Sequence, residues 1–372
     1  MTDVVTPRPP KQEQLPAQTE VVEVAPNILR MQLPISLPGL GHVNTYALLD
    51  KDGVALVDPG LPNDECWDAL TNRLAQAGLS VRNVHTVVVT HSHPDHFGGA
   101  GRLRMESGAN IVGHESFRWA FDTDADVDLD ADAARSDDQI LESLANHSPP
   151  WEKKSRWRDE SYDRPKDIGE GPAQWLARMK VWGRPTPTLR MSDGDVVMLA
   201  DREWVGVHTP GHTVDHLCLF DPTQGVFLSG DHVLPSITPH IGGNADESHD
   251  PLNDFFTSLN RMHEFDSLGV KLVLPAHGLE FHDLGGRADA IKHHHEGRLE
   301  KLRQASLAEG ALSVEQYSHH LFLPRSWGWM ADSETFAHLD HLVRIGQAST
   351  STVNGELRFT IPEKTSSSLG RE

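Results

Sequence analysis

The sequence predicts a layered α/β (α+β) fold that passes, near its C-terminus, into a small helical module. Three observations point there. Apolar runs of strand length alternate with helical patterns from about residue 22 to 114, and strands resume from 195 to 277. That alternation builds stacked layers of sheet and helix. Four of the strands run into side chains suited to metal binding: the cluster after residue 89, then His212, Asp231 and His277. Beyond residue 286 the pattern becomes three helical stretches and one hairpin.

Residues 1–18 are rich in Pro, Gln and charge and read as a disordered leader, with too little apolar surface to offset the entropy of ordering. V-V-E-V-A-P-N-I-L-R-M-Q-L-P gives two short strands about a turn at Pro26-Asn27. N-T-Y-A-L-L-D and G-V-A-L-V-D-P-G give two more, joined by the D-K-D-G turn at 50–53. Asn63 or Asp64 supplies the N-cap of a helix through W-D-A-L-T-N-R-L-A-Q-A-G, and Gly78 closes it. V-H-T-V-V-V, residues 84–89, is a buried strand. Pro94 suits the first turn of a helix, where a missing N–H costs nothing. A helix from Gly99 to about Ser107 and the strand A-N-I-V-G-H follow.

Residues 115–190 break the rhythm. The acidic run D-T-D-A-D-V-D-L-D-A-D-A-A-R-S-D-D lacks the calcium-loop spacing with Gly at the sixth position, so it reads as a solvated helical face. Four tryptophans follow, Trp151, Trp157, Trp175 and Trp182, and read as an apolar cap. The insertion is either a lid or wall over the site or simply a packed decoration. From 195, D-V-V-M-L-A, E-W-V-G-V-H, H-L-C-L-F-D and G-V-F-L-S-G are strands. L-N-D-F-F-T-S-L-N-R-M-H-E-F is an amphipathic helix, and V-K-L-V-L-P is a last strand. Residues 286–362 form a winged-helix-like module, its hairpin turning at Asn354-Gly355, and 363–372 are a disordered tail. His293, His294 and His295 are consecutive on a helix, point in different directions and read as helix surface.

Composition bounds the partners. Lys and Arg number 33 against 54 Asp and Glu, a net charge of −21 that repels polyanions and argues against nucleic acid. Cys66 and Cys218 give no disulfide framework and read as small buried side chains. The N-terminus has no signal-peptide pattern and no run of 18 apolar residues occurs, so a reducing cytoplasm and no membrane span are expected. The expected partner is a small-molecule substrate; the oligomeric state stays open, with a homodimer among the alternatives.

The chemistry centres on T-H-S-H-P-D-H-F-G-G, residues 90–99, which places His91, His93, Asp95 and His96 on a tight loop leaving a core strand. Packed there, four such groups repel one another or strand polar atoms unless a cation gathers them. Neutral imidazole and carboxylate suit a divalent metal such as zinc. A solvated His-rich loop is the plainer alternative in a chain of 23 histidines, and the strand context weighs against it.

With V-D-P-G, T-P-G-H-T, S-G-D-H and P-A-H-G in this order, the cluster resembles the metallo-β-lactamase superfamily of hydrolases over about residues 20–285. The helices and hairpin beyond resemble the winged-helix appendage of its beta-lactamase-like protein 2 branch. The resemblance implies an αββα sandwich over 19–285. It also implies two metal ions per chain, zinc with iron or manganese as alternatives. His91, His93 and His212 would hold one; Asp95, His96 and His277 the other; Asp231 would bridge them. Two ions about 3.5–4 Å apart share a water and lower its pKa toward about 7. By the same resemblance, the resulting hydroxide would attack a carbonyl, and the second ion, with Asp95 nearby, would steady the leaving group. Asp58 would orient the ligand loop through hydrogen bonds. Asp215 and His216 are candidates for supporting roles, His240 and His249 for the substrate loop, and His232 has no assigned place.

The same ligands serve several reactions. The resemblance to the glyoxalase II and beta-lactamase-like protein 2 branches implies cleavage of a thioester, a related ester or a lactone. The basic and Tyr cluster that grips glutathione is not found, which leaves an acyl-CoA or carrier thioester open. Alternatives are a single-stranded RNA nuclease, for which a basic stripe of Lys292, Arg298, Lys301 and Arg303 would be the sign, a mononuclear-iron sulfur dioxygenase, and a metal-stabilised binding module.

Overall fold

The computed structural model of the chain describes residues 10–118, 155–158, 177, 180–243 and 248–363. The first sheet has seven strands in sequence order: β1 (Val22–Ala25), β2 (Ile28–Leu37), β3 (Leu40–Asp50), β4 (Gly53–Val57), β5 (Val84–Val88), β6 (Asn110–His114) and β7 (Leu189–Met191). β1 to β4 are joined by hairpins, while β4 to β7 run parallel through crossovers. The second sheet has the order β12-β11-β10-β9-β8, from β8 (Val196–Leu199), β9 (Arg202–His208), β10 (Leu217–Asp221), β11 (Val226–Gly230) and β12 (Leu272–Pro275).

The period of two along each strand sorts neighbouring residues into different layers. Val87 and Ile111 face the helices α1 (Asp64–Gln76) and α3 (Ala100–Ser107), among Trp67, Leu70, Leu74 and Leu103. Their neighbours Val88 and Val112 face the other sheet, where they meet Trp204, Leu219, Leu228 and Leu274. On the second sheet Cys218, Phe227 and Val273 point away from that interface, toward α4 (Pro251–Ser267) and α5 (Leu284–Glu309). The result is helix, sheet, sheet, helix. Asn63 caps α1 by accepting from the Cys66 N–H at 2.8 Å, and Gly78 follows it at φ +74°. Pro94 opens the one-turn helix α2 (Pro94–Phe97).

Two expectations change. Residues 10–18 are tied down rather than disordered, although most of them stay exposed: Gln12–Gln14 make a 3-10 turn, and Glu13 is fully buried. The reason is hydrogen bonding to distant loops, which a count of apolar residues does not register. The stretch expected to be a separate module over 286–362 shares its core with the second sheet. α5 begins at Leu284, so the expected boundary falls inside it. Leu299, Leu302, Phe336 and Phe359 pack in one cluster with Phe220, Phe227 and Val273. The remaining pieces are as expected: α6 (Val314–Leu321), α7 (Trp329–Arg344) and a hairpin of β14 (Ser349–Val353) and β15 (Glu356–Thr360) turning at Asn354-Gly355. Beside β15 lies the short β13 (Leu312–Ser313).

The basic stripe that would have been the sign of an RNA nuclease does not form. Lys292 donates to Asn260, Arg298 is paired with Glu334, and Arg303 donates to Gln347. At 100° per residue Lys292 and Arg303 share one face of α5, and Arg298 and Lys301 another, so no continuous stripe forms.

The acidic run and Trp151 and Trp175 lie outside the described residues. Trp157 is buried against Phe336, ring centroids 4.8 Å apart, and its carbonyl accepts from the Leu357 N–H. Trp182 meets Trp67 edge-on at 6.0 Å. Trp157 anchors the middle of the insertion in one core and Trp182 its C-terminal part in another. Cys66 and Cys218 are buried thiols, pushed by burial up to about 11 and about 12. Among the described residues no helix is long and apolar enough to cross a membrane.

Candidate metal centre

All seven expected ligands meet at one edge of the sandwich, at the ends of β5, β9, β11 and β12. β5 leads through Val89 and Thr90 into His91, and α2 then turns Asp95 and His96 back toward it. Gly211, at φ +134°, lets the chain after β9 pass against Phe255, where any Cβ would overlap that residue. His212 follows at once. Asp231 follows β11, and His277 follows β12 after Ala276.

Two donor sets result. His91, His93 and His212 form one, and Asp95, His96 and His277 the other, with donor atoms within 4.8 Å of one another in each set. His93 Nδ1 lies 3.0 Å from both His91 Nε2 and His212 Nε2. Asp231 reaches both sets, at 3.5 Å from His212 Nε2, 3.6 Å from His96 Nε2 and 3.3 Å from His277 Nε2. Asp95 lies 3.5 Å from His96 Nε2 and 3.6 Å from His277 Nε2. The second set is buried throughout, the His212 side chain is only 5% exposed, and His93 is partly covered.

Hydrogen bonds on the far side of each ring fix which nitrogen faces inward. His212 Nδ1 donates to the His240 carbonyl at 2.7 Å, and His277 Nδ1 to the His42 carbonyl at 2.7 Å. His96 Nδ1 donates to Asp58 at 2.9 Å. The Thr90 hydroxyl donates to Asp58 at 2.7 Å and so accepts from His91 Nδ1 at 3.1 Å. Each of these four rings therefore keeps its proton on Nδ1 and aims Nε2 into the site, a bare lone pair when the ring is neutral. Among the described residues His96 Nε2, His277 Nε2 and one Asp231 oxygen are buried with no hydrogen-bond partner. Lone pairs converging on one another and on carboxylates call for a cation, and oxygen and imidazole donors at these spacings fit divalent metal ions.

Electrostatics agrees. Burial, with the charge of its neighbour His212, pushes His93 down to about 3. Burial also lowers His91 and His212. For His96 and His277 burial acts downward too, but the facing carboxylates outweigh it and raise both. Asp95 is drawn down to about 2 and Asp231 lower than usual, because His96 and His277 overcome the effect of burial. Positive charge is favoured where the two carboxylates converge.

Around the donors stands a frame. Asp58, at φ +54°, accepts from the Thr90 N–H at 2.9 Å as well as from the Thr90 hydroxyl and His96, tying both ends of the ligand loop. Asp215 accepts from the Ser92 hydroxyl at 3.0 Å, and burial pushes it up to about 6. His216 stacks on His91 at 5.1 Å and accepts the Asp231 N–H at 3.0 Å. His232 packs edge-on against Phe255. His249 lies 3.8 Å from Asp254, not among the donors. His240 contributes a carbonyl to His212, while its ring lies 3.5 Å from Glu334. His42, whose carbonyl holds His277, was not marked by the sequence pattern, since a backbone carbonyl can come from any residue type.

A family profile described as the metallo-beta-lactamase superfamily matches residues 38–277. The chain belongs to this superfamily. It is a hydrolase fold with a metal-binding set of donors at the expected sheet edge. Over 325 residues the chain is 25% identical to a Bacillus subtilis (strain 168) protein named "Probable metallo-hydrolase YqjP", covering 85% of this chain and 92% of that one. It is 32% identical over 105 residues to the acyl-coenzyme A thioesterase MBLAC2 of Homo sapiens, a match that spans only 36% of that protein and 28% of this one. The crystal structure of a metallo-beta-lactamase family protein from Thermus thermophilus superposes with a TM-score of 0.68 at 28% identity, covering 91% of this chain and all of that one.

Proposed function

We propose that this superfamily member is a two-metal hydrolase that cleaves a thioester, or a related ester or lactone, of a small molecule. The observation that carries the proposal is the pair of facing donor sets joined by Asp231, with four imidazole lone pairs held inward. His91, His93 and His212 would hold one ion and Asp95, His96 and His277 the other, with Asp231 between them; zinc suits such an imidazole-rich set. When bound, the ions supply Lewis acidity and lower the pKa of a shared water toward about 7.

The chain's own residues do the rest. His93 is partly exposed, so the substrate carbonyl would enter on its side. Asp95, whose carboxylate stays ionised, would help steady the leaving group. Asp58 would keep the Nδ1 proton on His96 and thus its Nε2 free. The likeness to an acyl-coenzyme A thioesterase supports the thioester reading. The engagement of Lys292, Arg298 and Arg303 with neighbouring side chains weighs against RNA.

The test is hydrolysis of short- and long-chain acyl-CoA thioesters, lactones and short single-stranded RNA, before and after chelation. The proposal predicts thioester or lactone cleavage that chelation abolishes and zinc restores. Cleavage of RNA alone would refute it.

A further inference from the structure

We propose that residues 11–15 are part of the metal centre's frame and that Glu13 is a positioning residue for it. This inference rests on the ligand assignment above, though not on the identity of the substrate.

Glu13 is fully buried, while Lys11 and Gln14 beside it are exposed. A carboxyl group taken from water needs compensating donors. It finds them on one loop: the Ser236 N–H at 2.7 Å, the Ile237 N–H at 3.0 Å and the Ser236 hydroxyl. Residues 233–243 carry no helix or strand, so these N–H groups have no ladder partner. Arg287 takes the carbonyls of the same loop, Leu234 and Ile237, each at 2.6 Å, and Lys11 donates to the Ser236 carbonyl at 2.8 Å. An acid thus holds the loop's donors while two bases hold its acceptors. Three residues beyond Ile237, the same loop presents the His240 carbonyl that fixes His212.

A second arm leads to His277. Gln12 accepts from the Leu279 N–H at 3.0 Å. The Leu15 carbonyl accepts from His42 Nδ1 at 2.8 Å, which leaves His42 Nε2 to accept from the Gly278 N–H at 3.1 Å. The His42 carbonyl in turn holds His277 Nδ1. The fit is close enough that a Cβ on Gly41 would overlap the Leu15 carbonyl. One short segment therefore sets the carbonyls that aim two ligands, one from each donor set. Leu15, the one apolar residue of 11–15, is exposed and belongs to none of the three apolar clusters.

The test uses the full chain with Glu13→Ala, Glu13→Gln and Gly41→Ala. Zinc affinity is measured by competition with a chromophoric chelator, and the visible spectrum of the cobalt-loaded protein reports ligand geometry. Glu13→Ala is expected to weaken zinc about tenfold, the scale seen when groups supporting ligands are removed, and to change the cobalt spectrum. Glu13→Gln keeps an oxygen for the two N–H groups and should recover most of the affinity. Gly41→Ala should weaken zinc through the His277 arm. Should Glu13→Ala fail to fold, Gly41→Ala decides. Parent-like zinc affinity and cobalt spectra in the folded variants would overturn the inference, whether or not the parent protein cleaves a thioester.

Discussion

Replacing Asp58 by Asn removes one charge and almost no volume from beneath the ligand loop. The backbone there sits at φ +54°, which Asn tolerates nearly as well as Asp, so the turn survives. The carboxyl group is 1% exposed and accepts three hydrogen bonds, from the Thr90 N–H, the Thr90 hydroxyl and His96 Nδ1. An amide has only one oxygen to offer. If that oxygen keeps the Thr90 N–H, the amide NH₂ faces the Nδ1 proton of His96. The ring then escapes the clash by moving its proton to Nε2, the atom aimed into the site. Loss of such a support typically weakens a metal about 10–100-fold, which is about 1.4–2.7 kcal/mol. A mispaired buried donor costs the metal-free protein about 1–3 kcal/mol. Zinc competition titration reads the first quantity and urea unfolding after chelation the second. Zinc affinity within twofold of the parent, in a folded variant, would refute the claim that Asp58 holds the tautomer of His96.

Three further outcomes follow from the same geometry. His93→Ala removes the nitrogen lying 3.0 Å from both His91 and His212, and should abolish turnover and lower metal content; full activity would dismiss the first donor set. Asp250 caps α4 through the Asn253 N–H and pairs with His341, contacts that outweigh burial and hold its pKa below 3.8. That stability is present above the unfolded value and lost as pH falls through the lowered folded one. Asp250→Ala should thus cost about 1–2 kcal/mol at neutral pH, and the difference should shrink below about pH 3.8 in chemical denaturation; a gap constant down to pH 2 would contradict this. Deleting the chain from residue 286 would leave the metals bound if the helices were an appendage. The shared core around Phe227, Leu302 and Phe336 predicts instead that the truncated protein loses its cooperative unfolding transition in calorimetry.

Much of the centre was legible because its ligands lie where strands end. His91, His93, Asp95 and His96 are neighbours in sequence, and His212, Asp231 and His277 each follow a recognisable apolar run. The layered α/β arrangement was legible in outline, since strand-length apolar runs alternate with helical patterns, whereas the pairing of two sheets came only with the family resemblance. What escaped was carried by backbone atoms or by distance in the chain. The carbonyls of His42 and His240 leave no trace in residue type. Glu13 meets a loop more than 200 residues away, so its stretch has the composition of a leader while being tied down. An amphipathic helix announces that one face is buried, not against what, which is why the C-terminal helices read as a separate unit. The faces of Lys292, Arg298, Lys301 and Arg303 could have been separated from helical spacing alone.

The most direct test of the account is the number of metal ions bound per chain, measured by native mass spectrometry on protein loaded with zinc and freed of excess. Two facing donor sets predict two zinc ions per chain in the parent protein. A single ion at saturation would contradict the account, and a single iron that zinc does not displace would point to the oxygenase chemistry of the same fold instead.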